Sequence, residues 1–383
     1  MTRGLDPATI EQRIRTYESF GIHRTGWPGD DQSARWVADE LGTLGLDAEL
    51  ERFEFPRVEL RRARLSWSDG EVEGVPLYDG GFTLPGGATA QLVQADSEDV
   101  GGRIAVAAVN DRDYVGRKVY ERMDELEADG AVALVLPRSD PEGDVGVVNA
   151  EKIGLPLVLP VLQVAARDTA GLDIAATIGT EATVEIDGNR LLSRAANVVA
   201  SLPGAEPDLA PIGIMTPRSG WFTCASERGG GIAILLALAE ALAARRDRRR
   251  TVHFLASSGH ELHHHGLVDY LRRRPGIEGE ALAWLHLGAN IGTSTGPTVA
   301  ESLDDGLETQ AAEALAAEAV RHEIIRIRGG EAVNIAAAGG RYISFRGGNR
   351  YFHSPNDTFD RACDADQVAA AGRAALRIVE EWL

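Results

Sequence analysis

Residues 251–275, "TVHFLASSGHELHHHGLVDYLRRRP", decide how the chain is to be read. "TVHFLASS" is an apolar run of strand length. "GHELHH" opens on Gly259 and packs polar side chains together. "GLVDYLRRRP" then returns to helical spacing and stops at Pro275. Strand, turn and helix follow one another within 25 residues. Taken alone, His260, Glu261 and His264 spell H-E-x-x-H, whose chemistry needs both imidazoles one turn apart on a helix. Here the string comes straight after a strand, in the turn before the helix, and no third ligand follows in a downstream helix. The zincin reading is set aside on that ground.

The same alternation extends in both directions. "NVVASLPG" and "APIGIMTP" are buried-type strands, and "GGGIAILLALAEALAARR" is a helix with a glycine-rich start. "ALAWLHLGANIG" is a strand, "GLETQAAEALAAEAV" a helix, "RYISFRG" a strand, and "DADQVAAAGRAALRIVEEWL" a closing helix with an Asp start. Strands alternating with helices predict an α/β domain whose mostly parallel central sheet carries helices on both faces. Ligand sites in such sheets form beyond the carboxyl ends of the strands. Nearer the N-terminus, "PATIEQRIRTYESFG" and "DDQSARWVADELGTLG" read as amphipathic helices, and "LDAELERFEF" alternates like a strand. From residue 57 to 191 the pattern changes to short β-like runs, "RARLSWS", "GRIAVAAV", "AVALVLP", "LPLVLPVLQV" and "ATVEID", with one clear helix, "GRKVYERMDELEADG".

The bulk numbers set limits. With 383 residues, 44% hydrophobic and 25% charged, the chain suits two ordinary globular domains. A net charge of -19 argues against nucleic acid and anionic membrane surfaces as partners. Lysine is limited to Lys118 and Lys152, a usage bias that leaves arginine as the main cation. "MTRGLDPATIEQRIRTYES" has no apolar core of a signal peptide, and no run reaches membrane-spanning length. Cys224 and Cys363 make neither a disulfide framework nor a zinc knuckle, so the expected setting is reducing and cytoplasmic. The residues do not fix the oligomeric state.

Four loops at strand ends hold the candidate chemistry: "MTPRSGWFTCASERGGG" (215–231), the 259–266 turn, "HLGAN" (286–290) and "YFHSPNDTFD" (351–360). Between them they carry Glu227, His260, Glu261, His263, His264, His265, His286, His353 and Asp357. On these strings, and on "GIHRTGWPGDDQSARWVADELGTLG" near the start, the chain resembles the di-zinc aminopeptidases of the glutamate carboxypeptidase-like (zinc exopeptidase) superfamily, which also contains glutaminyl cyclases. "YFHSPNDTFD" is the most specific match, because that family ends its metal site with a His in a His-Thr/Ser-Pro-x-Asp-Thr context. The resemblance implies a zinc-exopeptidase-like domain over 1–56 and 192–383, with a β-rich protease-associated-like insertion over 57–191.

Carried over residue by residue, the resemblance implies a degenerate metal site. The first zinc histidine falls on Thr216 and its supporting aspartate on Arg218. The bridging aspartate falls on Glu227. The general-base and ligand glutamates fall on His260 and Glu261. The fourth ligand falls near Gly288, and the terminal histidine is His353. Thr216 and Gly288 cannot take over as ligands, and the permanent charge of Arg218 would repel a second cation. The usual two-metal centre is therefore not expected.

Three functions stay open. The first is an amide- or peptide-bond hydrolase with one zinc at most, held by Glu227, Glu261 and His353, with His260 or His286 as a fourth donor. Its base would be His260 and its substrate-carboxylate anchor Arg218. The second is a metal-free acid/base enzyme, a cyclase, lyase or isomerase, in which His260 transfers protons and Glu227 or Glu261 orients it. There Arg218 grips a carboxylate and the glycine-rich "ERGGG" offers backbone N–H groups to an oxyanion. The third is a non-catalytic binding protein on a peptidase scaffold. The walls of the site are assigned to Thr216, Ser219, Trp221, Gly229, Gly230 and Tyr351, for a small-molecule or peptide-like substrate. Cys224 reads as a buried inert thiol, and His23, His253 and His322 as structural or solvated.

Overall fold

The computed structural model describes residues 3–114, 118–153, 157–326 and 329–383. The chain resolves into two compact units, one of residues 1–54, 194–352 and 357–383, the other of residues 55–193 and 353–356. Its strands, in chain order, are β1 Asp47–Trp67, β2 Gly70–Pro76, β3 Ala88–Gln94, β4 Ile104–Val106, β5 Ala133–Pro137, β6 Val161–Val164, β7 Glu181–Leu202, β8 Ile212–Pro217, β9 Val252–Ser257, β10 Ala283–Leu287, β11 Thr298–Glu301, β12 His322–Ile325 and β13 Tyr342–Gly347. Two of the four unit boundaries, after Glu54 and after Ser193, fall inside a long strand, β1 and β7.

In the first unit the strands run in the order β7-β9-β8-β10-β13-β11-β12. β9, β8, β10 and β13 are mutually parallel, and β11 pairs parallel with β12. β7 joins β9, and β11 joins β13, in the antiparallel sense. The sheet is thus a mixed, largely parallel one. β11 ("TVAE") and β12 ("HEII") were not expected. Each is four residues long, too short to show a period of two.

Alternation along the strands builds two cores, because successive side chains point to opposite faces. Ile214, Phe254, Leu285 and Ile343 turn to one face, where the Gly230–Ala243 helix lies. That helix is apolar all round and buried along nearly its whole length, which suits a central position. The helices Pro7–Ser19 and Ala365–Trp382 cover it. Each has an Asp cap, Asp6 accepting from the Thr9 N–H at 3.1 Å and Asp364 from that of Gln367 at 3.1 Å. On the other face Met215, Leu255, Trp284 and Tyr342 pack with Leu267, Tyr270 and Leu271 of the His265–Arg273 helix and with Ile335.

The second unit has its own sheet, in which β3, β4, β5 and β6 run parallel. It too has a core on each face. Ile104, Ala133 and Val135 pack with Leu172 and Ala176 of a Leu172–Ile178 helix that was not expected. Ala105, Leu134 and Leu136 pack with Tyr120, Met123 and Leu126 of the Lys118–Ala128 helix. Leu155 and Pro156 of the expected strand "LPLVLPVLQV" lie outside the described residues, and the observed strand begins at Val161. Among the described residues no helix is long and apolar enough to cross a membrane.

Candidate functional site

The carboxyl ends of β8, β9 and β10 bring their loops together in the first unit. Arg218 comes first, immediately after β8. Its guanidinium points inward and is fully buried. It pairs with the Asp30 carboxylate at 2.7 Å and donates to Ser33 Oγ at 2.7 Å, to the Ala196 carbonyl at 2.7 Å and to the Asp30 carbonyl. Asp30 also accepts from the Gly26 N–H at 2.8 Å and Ser258 Oγ at 2.9 Å. Burial pushes its carboxyl up to about 6, against the pull of Arg218. Arg218 is therefore a tie between the Pro28–Thr43 helix and the strand ends. It is not placed as a substrate-carboxylate anchor, because the side chain is fully buried and both Nη atoms are spent inside the protein.

Glu261 is likewise committed. One oxygen accepts from the Thr25 N–H and Oγ1, both at 2.7 Å, and the other from Ser219 Oγ at 2.6 Å. Ser219 Oγ in turn accepts from the Gly259 N–H at 2.7 Å and the His260 N–H at 3.2 Å. Ser219 and Glu261 so form a brace that shapes the 259–264 turn, in place of a wall residue and a ligand. Thr216 Oγ1 is buried and donates to the Leu287 carbonyl at 2.7 Å, which removes it from the wall of the site.

Beyond Cys224, which has a left-handed φ of 57°, residues Ala225–Gly229 form a π-turn that leads into the Gly230–Ala243 helix. Asp357 caps that turn. Its oxygens accept from the N–H groups of Ser226 at 3.0 Å and Glu227 at 2.9 Å. Burial and the neighbouring Glu227 raise the Asp357 carboxyl to about 7. Burial, with Glu227 and Asp357, also keeps the Cys224 thiol protonated. Glu227 is paired with Arg228 Nη2 at 2.6 Å, both side chains fully buried, and Arg228 Nε donates to the Ser219 carbonyl at 2.7 Å. The glycines after Arg228 serve close packing rather than an oxyanion. A Cβ on Gly229 would lie 2.9 Å from Ile14 Cγ2, and one on Gly230 would lie 2.9 Å from the Ile291 carbonyl.

The imidazoles gather beside this ion pair. His260 Nδ1 lies 3.3 Å from an oxygen of Glu331, a fully buried carboxylate that also accepts from Ser257 Oγ at 2.8 Å. His260 Nε2 makes no hydrogen bond among the described residues, and His260 is 7% exposed. Burial, then the Arg228 guanidinium and His264, hold His260 well below the usual imidazole range, so it is neutral at pH 7. The His264 ring lies 4.8 Å from that of His260, and its Nδ1 faces Asn334 Oδ1 at 2.8 Å. His286 Nδ1 faces Ser344 Oγ at 2.8 Å. Among the described residues its buried Nε2 has no hydrogen-bond partner, and burial lowers its pKa to about 4. Glu331 is the residue that sequence reasoning missed. It precedes the short Ala332–Ala337 helix in "RGGEAVNIAAAGG", and only its isolation in apolar surroundings marks it.

The backbone rules out H-E-x-x-H geometry. His263 and His264 both take left-handed φ values, 54° and 58°, and the helix begins only at His265. His265 Nε2 lies 2.9 Å from the Glu54 carbonyl, and His263 is exposed. His23 stacks on Tyr17 at 3.8 Å and is held neutral by burial, its pKa lowered to about 3. His353 belongs with the second unit. Its Nδ1 lies 3.0 Å from the Val147 carbonyl, and the neighbouring Ser354 Oγ and Asn356 Nδ2 both donate to Asp140, at 2.6 and 2.7 Å. Tyr351 is buried below the Arg350 guanidinium, which lies 5.2 Å from its ring centre, and Trp221 is buried as well.

The residues do not fit a zinc ion. Glu227 is paired with a guanidinium, Glu261 is spent on Thr25 and Ser219, and His353 Nδ1 faces the Val147 carbonyl. Among the described residues no three His, Cys, Asp or Glu side chains are placed to hold a metal ion. Glu227, Glu261 and His353, with His260 or His286 as a fourth donor, are not grouped as the expected zinc ligands.

Solved structures resemble this arrangement of strands and helices along almost the entire chain. The zinc aminopeptidase from Bacillus subtilis is 18% identical, over 99% of this chain and 95% of its own, with a TM-score of 0.81. The fold is shared with zinc aminopeptidases. An aminopeptidase from an Aneurinibacillus species is 15% identical, over 99% of this chain and 94% of its own, with a TM-score of 0.73. Porphyromonas gingivalis glutaminyl cyclase, at 11% identity over 100% of both chains, gives a TM-score of 0.55. No protein-family model matches the chain, and no curated protein does.

Proposed function

We propose that this chain is a metal-independent acid/base enzyme on an aminopeptidase scaffold, acting on an amide- or peptide-like substrate. His260 is its proton-transfer group and Glu331 the carboxylate that orients it. The observation that carries the reading is the His260 Nδ1–Glu331 contact of 3.3 Å, which leaves Nε2 as the basic nitrogen. At neutral pH the imidazole is in its base form. It takes a proton from the attacking group at Nε2, and the imidazolium so formed is stabilised by Glu331. The second unit acts as a protease-associated-like module. The unpaired Cys224 and Cys363 support a reducing, cytoplasmic setting.

The test is turnover of aminoacyl p-nitroanilides and glutaminyl peptides with and without o-phenanthroline, for the wild type and His260→Ala. The expected result is chelator-insensitive turnover that falls about 10²- to 10⁴-fold in the variant. Activity abolished by the chelator would overturn the reading. A second reading, a non-catalytic binding protein, is favoured by the sealed Arg218–Asp30 and Arg228–Glu227 pairs. Wild-type protein that turns over none of these substrates would select it.

A further inference from the structure

The loop between the first two helices, "FGIHRTGW" (20–27), holds a cation that the mechanism above does not use. Arg24 Nε donates to the Trp221 carbonyl at 3.0 Å. Its guanidinium carbon lies 5.3 Å from the Trp27 ring centre, 5.7 Å from that of Trp221 and 5.8 Å from that of Phe222. Trp221 and Phe222 are buried, and Arg24 and Trp27 are partly open to solvent. Arg218 and Arg228, the other arginines of this region, each have a carboxylate within 2.7 Å. Among the described residues Arg24 has no carboxylate within ion-pair distance, and Nε is its one donor with a hydrogen bond.

A largely desolvated guanidinium with no carboxylate paired to it is costly, and the aromatic faces and the nearby Glu261 charge offset only part of that cost. Burial accordingly lowers its pKa. The free end of the guanidinium matches a carboxylate, which it can grip with two parallel hydrogen bonds. The rings around it suit a flat apolar group. The loop is also tied to the proton-transfer residue. Thr25, next in sequence, donates to Glu261 at 2.7 Å, and Glu261 is the neighbour of His260.

We propose that Arg24, with Trp27, Trp221 and Phe222, is a recognition site for the carboxylate of an aromatic or similarly bulky apolar ligand. This rests on the proposed function insofar as that ligand is the substrate, and it assigns to Arg24 the role first expected of Arg218. The binding itself does not depend on turnover.

The probe is sodium benzoate against its neutral isostere benzamide, followed by tryptophan fluorescence and by calorimetry. Wild type is expected to bind benzoate at least tenfold more tightly than benzamide. Arg24→Met should abolish that preference, and Arg24→Lys should keep part of it. Far-UV circular dichroism and the melting temperature establish that each variant is folded. Equal binding of the two probes, no benzoate binding at 100 mM, or a preference that survives in folded Arg24→Met would overturn the proposal. His260→Ala separates the two ideas. A variant that keeps its benzoate preference while losing turnover leaves both standing. Wild type that prefers benzoate but is inactive supports the recognition site alone.

Discussion

The loop after β8 and the turn after β9 lie side by side and have opposite chemistries. After β8, every charge is answered from within: Arg218 by Asp30, and Arg228 by Glu227. After β9, His260 keeps Nε2 uncommitted and partly reachable, with Glu331 behind Nδ1. Buried carboxylates need counter-charges. On the β8 side two guanidiniums supply them and close the region. The proposed reactivity is concentrated on the imidazoles.

The largest effect expected from breaking this contrast is on stability. Arg218→Met leaves Asp30 buried without its counter-charge, at a cost of about 3–5 kcal/mol. Urea unfolding measures it, and a loss below about 1 kcal/mol would mean that the pair is not the tie described. On the β9 side the effect should fall on rate. Glu331→Gln keeps an acceptor for His260 Nδ1 but removes the charge, so turnover should drop about tenfold or more. The acid limb of the pH profile should move to lower pH, because the imidazole loses an anionic partner. A rate drop with an unmoved limb would make Glu331 purely structural.

A smaller effect concerns Asp357, the cap of the π-turn. Its carboxyl is raised to about 7 in the fold and titrates near 3.9 when unfolded. Between those values the folded chain holds a proton that the unfolded chain has released, so this contribution is full below about pH 4 and fades as pH rises to about 7. His286, lowered to about 4, contributes with the opposite sign, its share fading as pH falls below about 6.5. The stability difference between wild type and Asp357→Asn isolates the carboxyl. It should shrink from pH 4 to pH 7, and a flat difference would sink the assignment.

The α/β core was legible because its strands are apolar runs and its helices are long. "GGGIAILLALAEALAARR" admits no other reading, and Asp364 marks the start of the closing helix. The edge strands β11 and β12 were not legible, since four residues show no period. At the site, His260 could be picked out by type and position, but its partner could not. Glu331 lies 71 residues further along and carries no motif. Arg218 was placed at the right strand end with the wrong task. Its answering carboxylate, Asp30, sits 188 residues earlier, and no local pattern links them. His353 stands in a family-like string, yet Asp140 and Val147 of the second unit hold its loop. A local string cannot report a partner brought in by the fold.

Arg228 has one more consequence. A guanidinium is built by the ribosome, so this positive charge arrives in every copy in fixed stoichiometry. It cannot be stripped by a competitor, swapped for a heavier ion, or scarce in a starved cell. Under the proposed metal-independent function, a protein arranged around it would not depend on a borrowed ion.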